Sequence, residues 1–270
     1  MPLNLKEVMK IATEIAEKAG SLALEMQHQL GAIEFKSPKD TVTQADIAAD
    51  KLILSALQEA FPTHLIRTEE SGFVNNNSAE DYTWIIDPID GTINYSRGMP
   101  NWGISLALFD AQGPLLAVCF LPKFDEMFTA IRGQGAYMNG KKISVSNISD
   151  MSQAIISNGD FNVGPENRIA EINARNVRLF AAQGSACQRV KSIGSAVLEG
   201  CYVAAGRLEV YSMTNSYPWD TAGISLLVLE AGGKASNLNG EAMAYCDEEA
   251  VVVSNGILHD EYIQLISPHL

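Results

Sequence analysis

Trp84-Ile85-Ile86-Asp87-Pro88-Ile89-Asp90-Gly91-Thr92 is an apolar run that ends in two carboxylates, a proline and a glycine. The apolar half reads as a buried strand, and the half that follows reads as a loop at its end. A carboxylate at the tip of such a strand loses much of its hydration. A second one three residues on adds like-charge repulsion, which a cation between them would relieve. Pro88 fixes the turn, and Gly91 omits the side chain that would keep a phosphate from the amides after Asp90. The plainer alternative is an Asx-turn in which both acids bond nearby amides.

Short apolar runs surround this segment at 64–68, 103–109, 115–121 and 127–131, separated by Gly, Pro and Asp, and they read as strands. Asp110-Ala111-Gln112-Gly113-Pro114 joins the middle pair as a hairpin, so the sheet has antiparallel neighbours. Upstream, Val8, Ala12, Ile15, Ala19, Leu22, Ala23 and Met26 recur at helical spacing and predict a helix over 5–30 closed by Gly31. A second helix is expected over 44–60, with Thr43 as its cap and Asp46 reaching back in a capping box. Downstream, strand-like runs at 154–159, 188–193, 208–213 and 250–255 alternate with helix-like ones at 167–182, 195–205 and 220–233, an α/β pattern. Asn75-Asn76-Asn77-Ser78 reads as a polar loop. No repeat or linker divides the chain, so 1–270 is read as one catalytic domain with an α+β half to about 150 and an α/β half beyond it.

The 270 residues are 47% hydrophobic and 19% charged, the composition of a globular chain with a full core. Nineteen Lys and Arg against 32 Asp and Glu leave a net charge of −13, a field that repels nucleic acid and anionic membrane. An anionic ligand would therefore need metal ions held by clustered carboxylates to reverse the potential locally. Cys119, Cys187, Cys201 and Cys246 are scattered and read as small hydrophobes, not as a zinc site or disulfide framework. His28, His64, His259 and His269 fit no ligand or triad spacing and read as surface or helix-end residues. The N-terminal stretch lacks a secretory signal and no segment approaches a membrane span, so the chain reads as cytoplasmic.

Two further acidic segments stand out. Glu69-Glu70-Ser71 ends the strand before Trp84, which would set its carboxylates beside Asp87 at the same edge of the sheet. In Pro218-Trp219-Asp220-Thr221-Ala222-Gly223, Asp220 falls in the first turn of an apolar helix, and this motif alone favours a helix cap.

Together, in this order, Glu69-Glu70-Ser71, the DPIDGT of 87–92 and the WDTAG of 219–223 resemble the inositol monophosphatase family of magnesium-dependent, lithium-sensitive phosphatases. Its wider superfamily includes fructose bisphosphatases and nucleotide 3′-phosphatases. Lys36, Asp40, Thr43 and Asp46 resemble the family's N-terminal pattern, and Gly194-Ser195-Ala196 its polyol-contacting turn. The resemblance implies an α/β (α+β) fold of the layered α-β-α-β-α sandwich type, a homodimer, and two Mg²⁺ ions per subunit with a third, weaker one near Glu69. Glu69, Asp87 and the Ile89 carbonyl would hold the first ion; Asp87, Asp90 and Asp220 would hold the second. A metal-activated water, its proton directed by Glu69 and Thr92, would attack phosphorus in line, with Asp46 orienting Thr92. The amides of Gly91 and Thr92 would cradle the phosphate, Lys36 would add charge, and Asp90, Gly194, Ser195, Ala196 and Asp220 would face the rest of the substrate. Haloacid-dehalogenase phosphatases space their two acids two residues apart. Here Asp87 and Asp90 are three apart, so no aspartyl-phosphate intermediate is expected.

The implied activity is hydrolysis of a small polyol or sugar phosphate, by default inositol 1-phosphate. Inositol-specific relatives place an acid shortly before the WD motif, whereas this chain has none between Glu209 and Asp220, and Met213 cannot accept hydroxyl hydrogen bonds. Lys191 stands where many relatives carry Arg. Fructose 1,6-bisphosphate, histidinol phosphate, a nucleotide 3′-phosphate and NADP are the competing substrates. A regulatory docking protein that keeps the fold is the competing class of function.

Overall fold

The computed structural model describes residues 3–28, 34–37, 40–74 and 82–270. α1 (Leu5–Gln27) is followed by the hairpin of β1 (Glu34–Ser37) and β2 (Asp40–Val42), then α2 (Gln44–Ala60), β3 (Leu65–Thr68) and β4 (Gly72–Val74). β5 (Thr83–Asp90) runs into the short α3 (Thr92–Ser96), and β6 (Gly103–Asp110), β7 (Gly113–Leu121), β8 (Glu126–Ile131), β9 (Ala136–Met138) and β10 (Lys141–Lys142) continue as an antiparallel meander. The second half comprises β11 (Ile155–Asn158), α4 (Ile169–Ala186), β12 (Arg189–Lys191), α5 (Ala196–Ala204), β13 (Val210–Ser216), α6 (Pro218–Glu230), β14 (Lys234–Ser236), β15 (Glu249–Ser254) and α7 (His259–Ile266).

Two large sheets result. The eight-stranded sheet has the order β10-β9-β8-β7-β6-β5-β3-β4, and the five-stranded sheet the order β12-β11-β13-β15-β14. One face of the large sheet packs on α1 and α2, the other on α5 and α6. The small sheet covers the far side of that helix pair and is itself backed by α4 and α7. This is the layered α-β-α-β-α arrangement.

Sequence patterns account for the layers. α1 buries Val8, Ala12, Ile15, Ala16, Ala19 and Ala23, a stripe narrow enough in side-chain volume to bring its backbone close to the sheet. α2 buries Ala45, Ala49, Ile53 and Leu57 at four-residue intervals, and its start is the expected capping box. α6 is buried on every side from Thr221 to Val228 because it lies between two sheets, which is why it shows no polar face. Gly200 of α5 meets α6 so closely that a Cβ there would lie 2.4 Å from Ile224 Cβ. Among the described residues, no helix is long and apolar enough to cross a membrane.

Several expectations need correction. The segment after Ile86 is no loop: β5 continues through Pro88 to Asp90, with the register against β6 shifting between Asp87 and Asp90. A proline in mid-strand is tolerated at such an irregularity because the ladder has no donor to lose there. α1 ends at Gln27, and Gly31 and Asn75–Ser78 lie outside the described residues. His64 and His259 are buried rather than at the surface: His64 stacks on Phe61 at 5.0 Å, and His259 shares hydrogen bonds with Ser236 and Ser254. All four cysteines are free; Cys119 and Cys201 are buried, but Cys246 is exposed.

Candidate active site

Asp87 owes its position to β5. Trp84 and Ile86 face α1 and α2, so Ile85 and Asp87 face α6 on the opposite side of the sheet. Parallel pairing of β3 with β5 sets Thr68 beside Ile86, and the Glu69 N–H donates to the Ile86 carbonyl at 3.2 Å, which carries Glu69 to the edge where Asp87 emerges. Asp220 arrives from the first turn of α6, its Oδ2 accepting the Tyr217 N–H at 2.7 Å. The helix cap expected there is present, and the same carboxylate still turns toward Asp87 and Asp90.

One carboxylate oxygen from each of Asp87, Asp90 and Asp220 lies within 4.8 Å of the others. Burial, with the charges of Glu69, Asp90 and Asp220 added, pushes Asp87 well above the usual carboxylate range, and burial does the same to Asp220. Asp87 Oδ1 is buried without a hydrogen-bond partner. Such an arrangement is costly unless a hard cation offsets its charge, so the donor set fits Mg²⁺.

Asp90 is held differently. Oδ1 accepts the Ala196 N–H at 3.1 Å, and Oδ2 accepts the Val197 N–H at 2.9 Å and the Ser195 hydroxyl. These donors sit 105 to 107 residues away, so the local Asx-turn alternative fails for Asp90. They open α5, where amides and helix dipole favour an anion, yet burial prevails and raises the Asp90 carboxyl to about 6. Ser195 both donates to Asp90 and caps α5 by accepting the Leu198 N–H.

Gly91 has φ +86° and tucks against the 194–195 turn, where a Cβ would lie 3.0 Å from the carbonyls of Asn101 and Gly194. Asn94 in α3 fastens this turn, its amide lying 2.8 Å from the carbonyls of Asn101 and Ile193 and 3.1 Å from that of Gly194. Thr92 Oγ1 stands 2.9 Å from Asp46 Oδ1 and 3.0 Å from the Ile89 carbonyl. Asp46 Oδ2 takes the Thr43 N–H and hydroxyl at 2.8 and 2.5 Å, so one carboxylate closes the capping box and reaches Thr92. Burial raises the Asp46 carboxyl against these hydrogen bonds. The side chain of Lys36 lies outside the described residues.

Beside Asp90 opens a cavity of about 150 Å³, lined by Gly91, Thr92, Gly194, Ser195 and Ala196 on one side and by Asp160, Tyr211 and Met213 on the other. Met213 is half-buried and faces this cavity. Asp160, Glu199 and Asn94 are contributors that sequence reasoning missed. Asp160 carried a usable signal, since it comes just after the strand-like run that became β11; Glu199 stood out as an acid inside the apolar run of α5. Glu199 is fully buried, accepts from Ser157, Ile193 and Ser195, and is pushed up to about 8 by burial.

The whole chain has known relatives. A family model described as the inositol monophosphatase family matches residues 4–270. The chain is 33% identical to Nus factor SuhB of Pseudomonas aeruginosa over 98% of both proteins. It is 31% identical to inositol monophosphatase 1 of Solanum lycopersicum over 97% of this chain and 96% of that one. The crystal structure of extragenic suppressor protein suhB from Bartonella henselae superposes with a TM-score of 0.90 at 27% identity, covering 98% of this chain and all of that one. Fold, acidic cluster and matched length agree: the chain belongs to the inositol monophosphatase family.

Proposed function

We propose that the chain is a Mg²⁺-dependent phosphomonoesterase that hydrolyses a small polyol or sugar phosphate, inositol 1-phosphate being the default substrate, without a covalent intermediate. The observation that carries this reading is the convergence of Asp87, Asp90 and Asp220, together with an Asp87 carboxylate oxygen that is buried without a hydrogen-bond partner. Glu69, Asp87 and the Ile89 carbonyl would hold one Mg²⁺, and Asp87, Asp90 and Asp220 a second. When bound, the ions supply Lewis-acid activation of water and neutralise charge on the phosphoryl and leaving oxygens.

The protein's own groups orient the reaction. With the Ile89 carbonyl engaged as a ligand, the Thr92 hydroxyl would donate its hydrogen bond to Asp46, leaving a lone pair to orient a water. Glu69, on the same edge as Asp87, accepts the water's proton. The amides of Gly91 and Thr92 would offer donors to phosphate oxygens, and the absence of a side chain at Gly91 lets this turn sit against the 194–195 turn. Gly194, Ser195 and Ala196 line the space for the leaving group. Two metals, lithium sensitivity and a homodimer belong to the same reading.

Phosphate release from inositol 1-phosphate, fructose 1,6-bisphosphate, histidinol phosphate, adenosine 3′,5′-bisphosphate and NADP, in Mg²⁺ and in EDTA, tests it. Release that requires Mg²⁺ is the expected result; equal release in EDTA rejects the mechanism. A relative named as a Nus factor supports a second reading, a docking role carried on the same fold. A partner complex that forms equally well with Asp87→Asn protein would support that role, and loss of the complex would oppose it.

A further inference from the structure

We propose that Asp160 selects the leaving group in the cavity beside Asp90, favouring one that donates a hydroxyl or ammonium hydrogen bond over one that carries a second negative charge. The inference rests on the phosphomonoesterase reading and narrows its substrate.

The charged side chains lining the cavity are Asp90, Asp160 and Glu199; among the described residues no Lys or Arg lines it. Asp90 already accepts three protein donors, and Glu199 is fully buried with its oxygens turned to Ser157, Ile193 and Ser195. Asp160 is therefore the acid left to meet a substrate. It is half-buried at the end of β11, and its Oδ1 accepts the Ser192 hydroxyl at 2.8 Å. Its other oxygen lies over Gly194, where a Cβ would come within 2.9 Å of Oδ2. Glycine with φ +83° at that position thus makes room for the carboxylate above the turn. The facing wall is apolar: Met213 packs on Gly159 so tightly that a Cβ there would lie 2.6 Å from Met213 Cγ.

A second phosphate on the leaving group would meet Asp160 with no cation among the described lining residues to offset the repulsion. A hydroxyl or ammonium instead donates to the carboxylate, and a charge-assisted bond of this kind is among the stronger ones available. Bisphosphates and NADP are disfavoured on this account, whereas inositol 1-phosphate and histidinol phosphate are retained.

The test measures kcat/KM in saturating Mg²⁺ on inositol 1-phosphate, histidinol phosphate, adenosine 3′,5′-bisphosphate and p-nitrophenyl phosphate, for the wild type, Asp160→Asn and Asp160→Lys. The wild type should favour one of the first two over the bisphosphate by about 100-fold, and the preferred one tells hydroxyl from ammonium recognition. Asp160→Asn should raise KM for that substrate about tenfold. Asp160→Lys should gain about tenfold on the bisphosphate, an improvement that a misfolded variant cannot show. Equal wild-type efficiency on the bisphosphate, or an unchanged preference in Asp160→Lys, overturns the inference while Mg²⁺-dependent p-nitrophenyl phosphate hydrolysis leaves the phosphomonoesterase reading intact. No Mg²⁺-dependent release from any of the four overturns both.

Discussion

Asp46 Oδ1 lies 2.9 Å from Thr92 Oγ1 across 46 residues of sequence, while Oδ2 of the same carboxylate receives the Thr43 N–H that opens α2. One side chain therefore ties the start of a helix to the hydroxyl that faces the proposed site of water attack.

That coupling separates two substitutions. Thr43→Ala removes the hydroxyl of the cap but leaves Asp46 facing Thr92, and should cost about 1 kcal/mol of stability with little change in kcat. Asp46→Asn loses a charged acceptor from both ends and should lower kcat about 100-fold as well. Thermal unfolding and phosphate release on both variants check the split; equal kcat in the two would refute the positioning role of Asp46.

The acidic cluster makes metal-free stability depend on pH. Asp87, Asp90 and Asp220 are all raised in the fold above their unfolded values, so the folded chain binds the extra protons. Their favourable contribution is complete below pH ~4 and is lost as pH rises through the folded values, which for Asp90 is about 6. Asp90 alone amounts to on the order of 3 kcal/mol. In EDTA the chain should be less stable at pH 8 than at pH 5.5, and Mg²⁺ should remove most of that difference. Unfolding curves at the two pH values, with and without Mg²⁺, measure it.

Glu199, beside the same cavity, follows the same sign. Its carboxyl rises to about 8, so it is mostly neutral at pH 7 and destabilises the fold once ionised. Glu199→Gln keeps the shape, abolishes the titration and should gain stability relative to wild type as pH rises through 8. Glu199→Leu should cost about 2 kcal/mol, because the amides of Ile193 and Ser195 lose their acceptor. Denaturant midpoints across pH report both effects.

Gly200→Ala tests the spacing of the helices that carry Asp90's donors and Asp220. Its Cβ would press on Ile224, at a cost of about 2 kcal/mol. The variant should also bind Mg²⁺ more weakly, because separating α5 from α6 pulls the Ala196 and Val197 amides away from Asp220. Thermal unfolding across a Mg²⁺ series shows both changes, or only the first if the helices absorb the strain elsewhere.

Local chemistry was the legible part of the sequence. The capping box of Thr43 and Asp46 was readable because both partners lie within one turn, and the hairpin of β6 and β7 because its connection is short and glycine-containing. Asp87 could be placed on a buried strand, though that strand runs on to Asp90, and its convergence with Asp220 came only through family resemblance, since nothing local joins residues so far apart. Asn94 shows why the rest was hidden: its partners at Ile193 and Gly194 are about 100 residues away, and an asparagine in a short helix carries no mark of them. Pro88 misled for a related reason, because only the shifted pairing with β6 makes a proline acceptable within β5.

The most direct test of the account is calorimetric titration of Mg²⁺ into metal-free wild-type and Asp87→Asn protein, in two buffers of different ionisation enthalpy. Wild-type protein should bind Mg²⁺ saturably and release protons, because the cation displaces them from carboxyls raised by burial. Asp87→Asn should lose that binding and its proton release. Identical binding by the two proteins would contradict the claim that Asp87, Asp90 and Asp220 form the metal site.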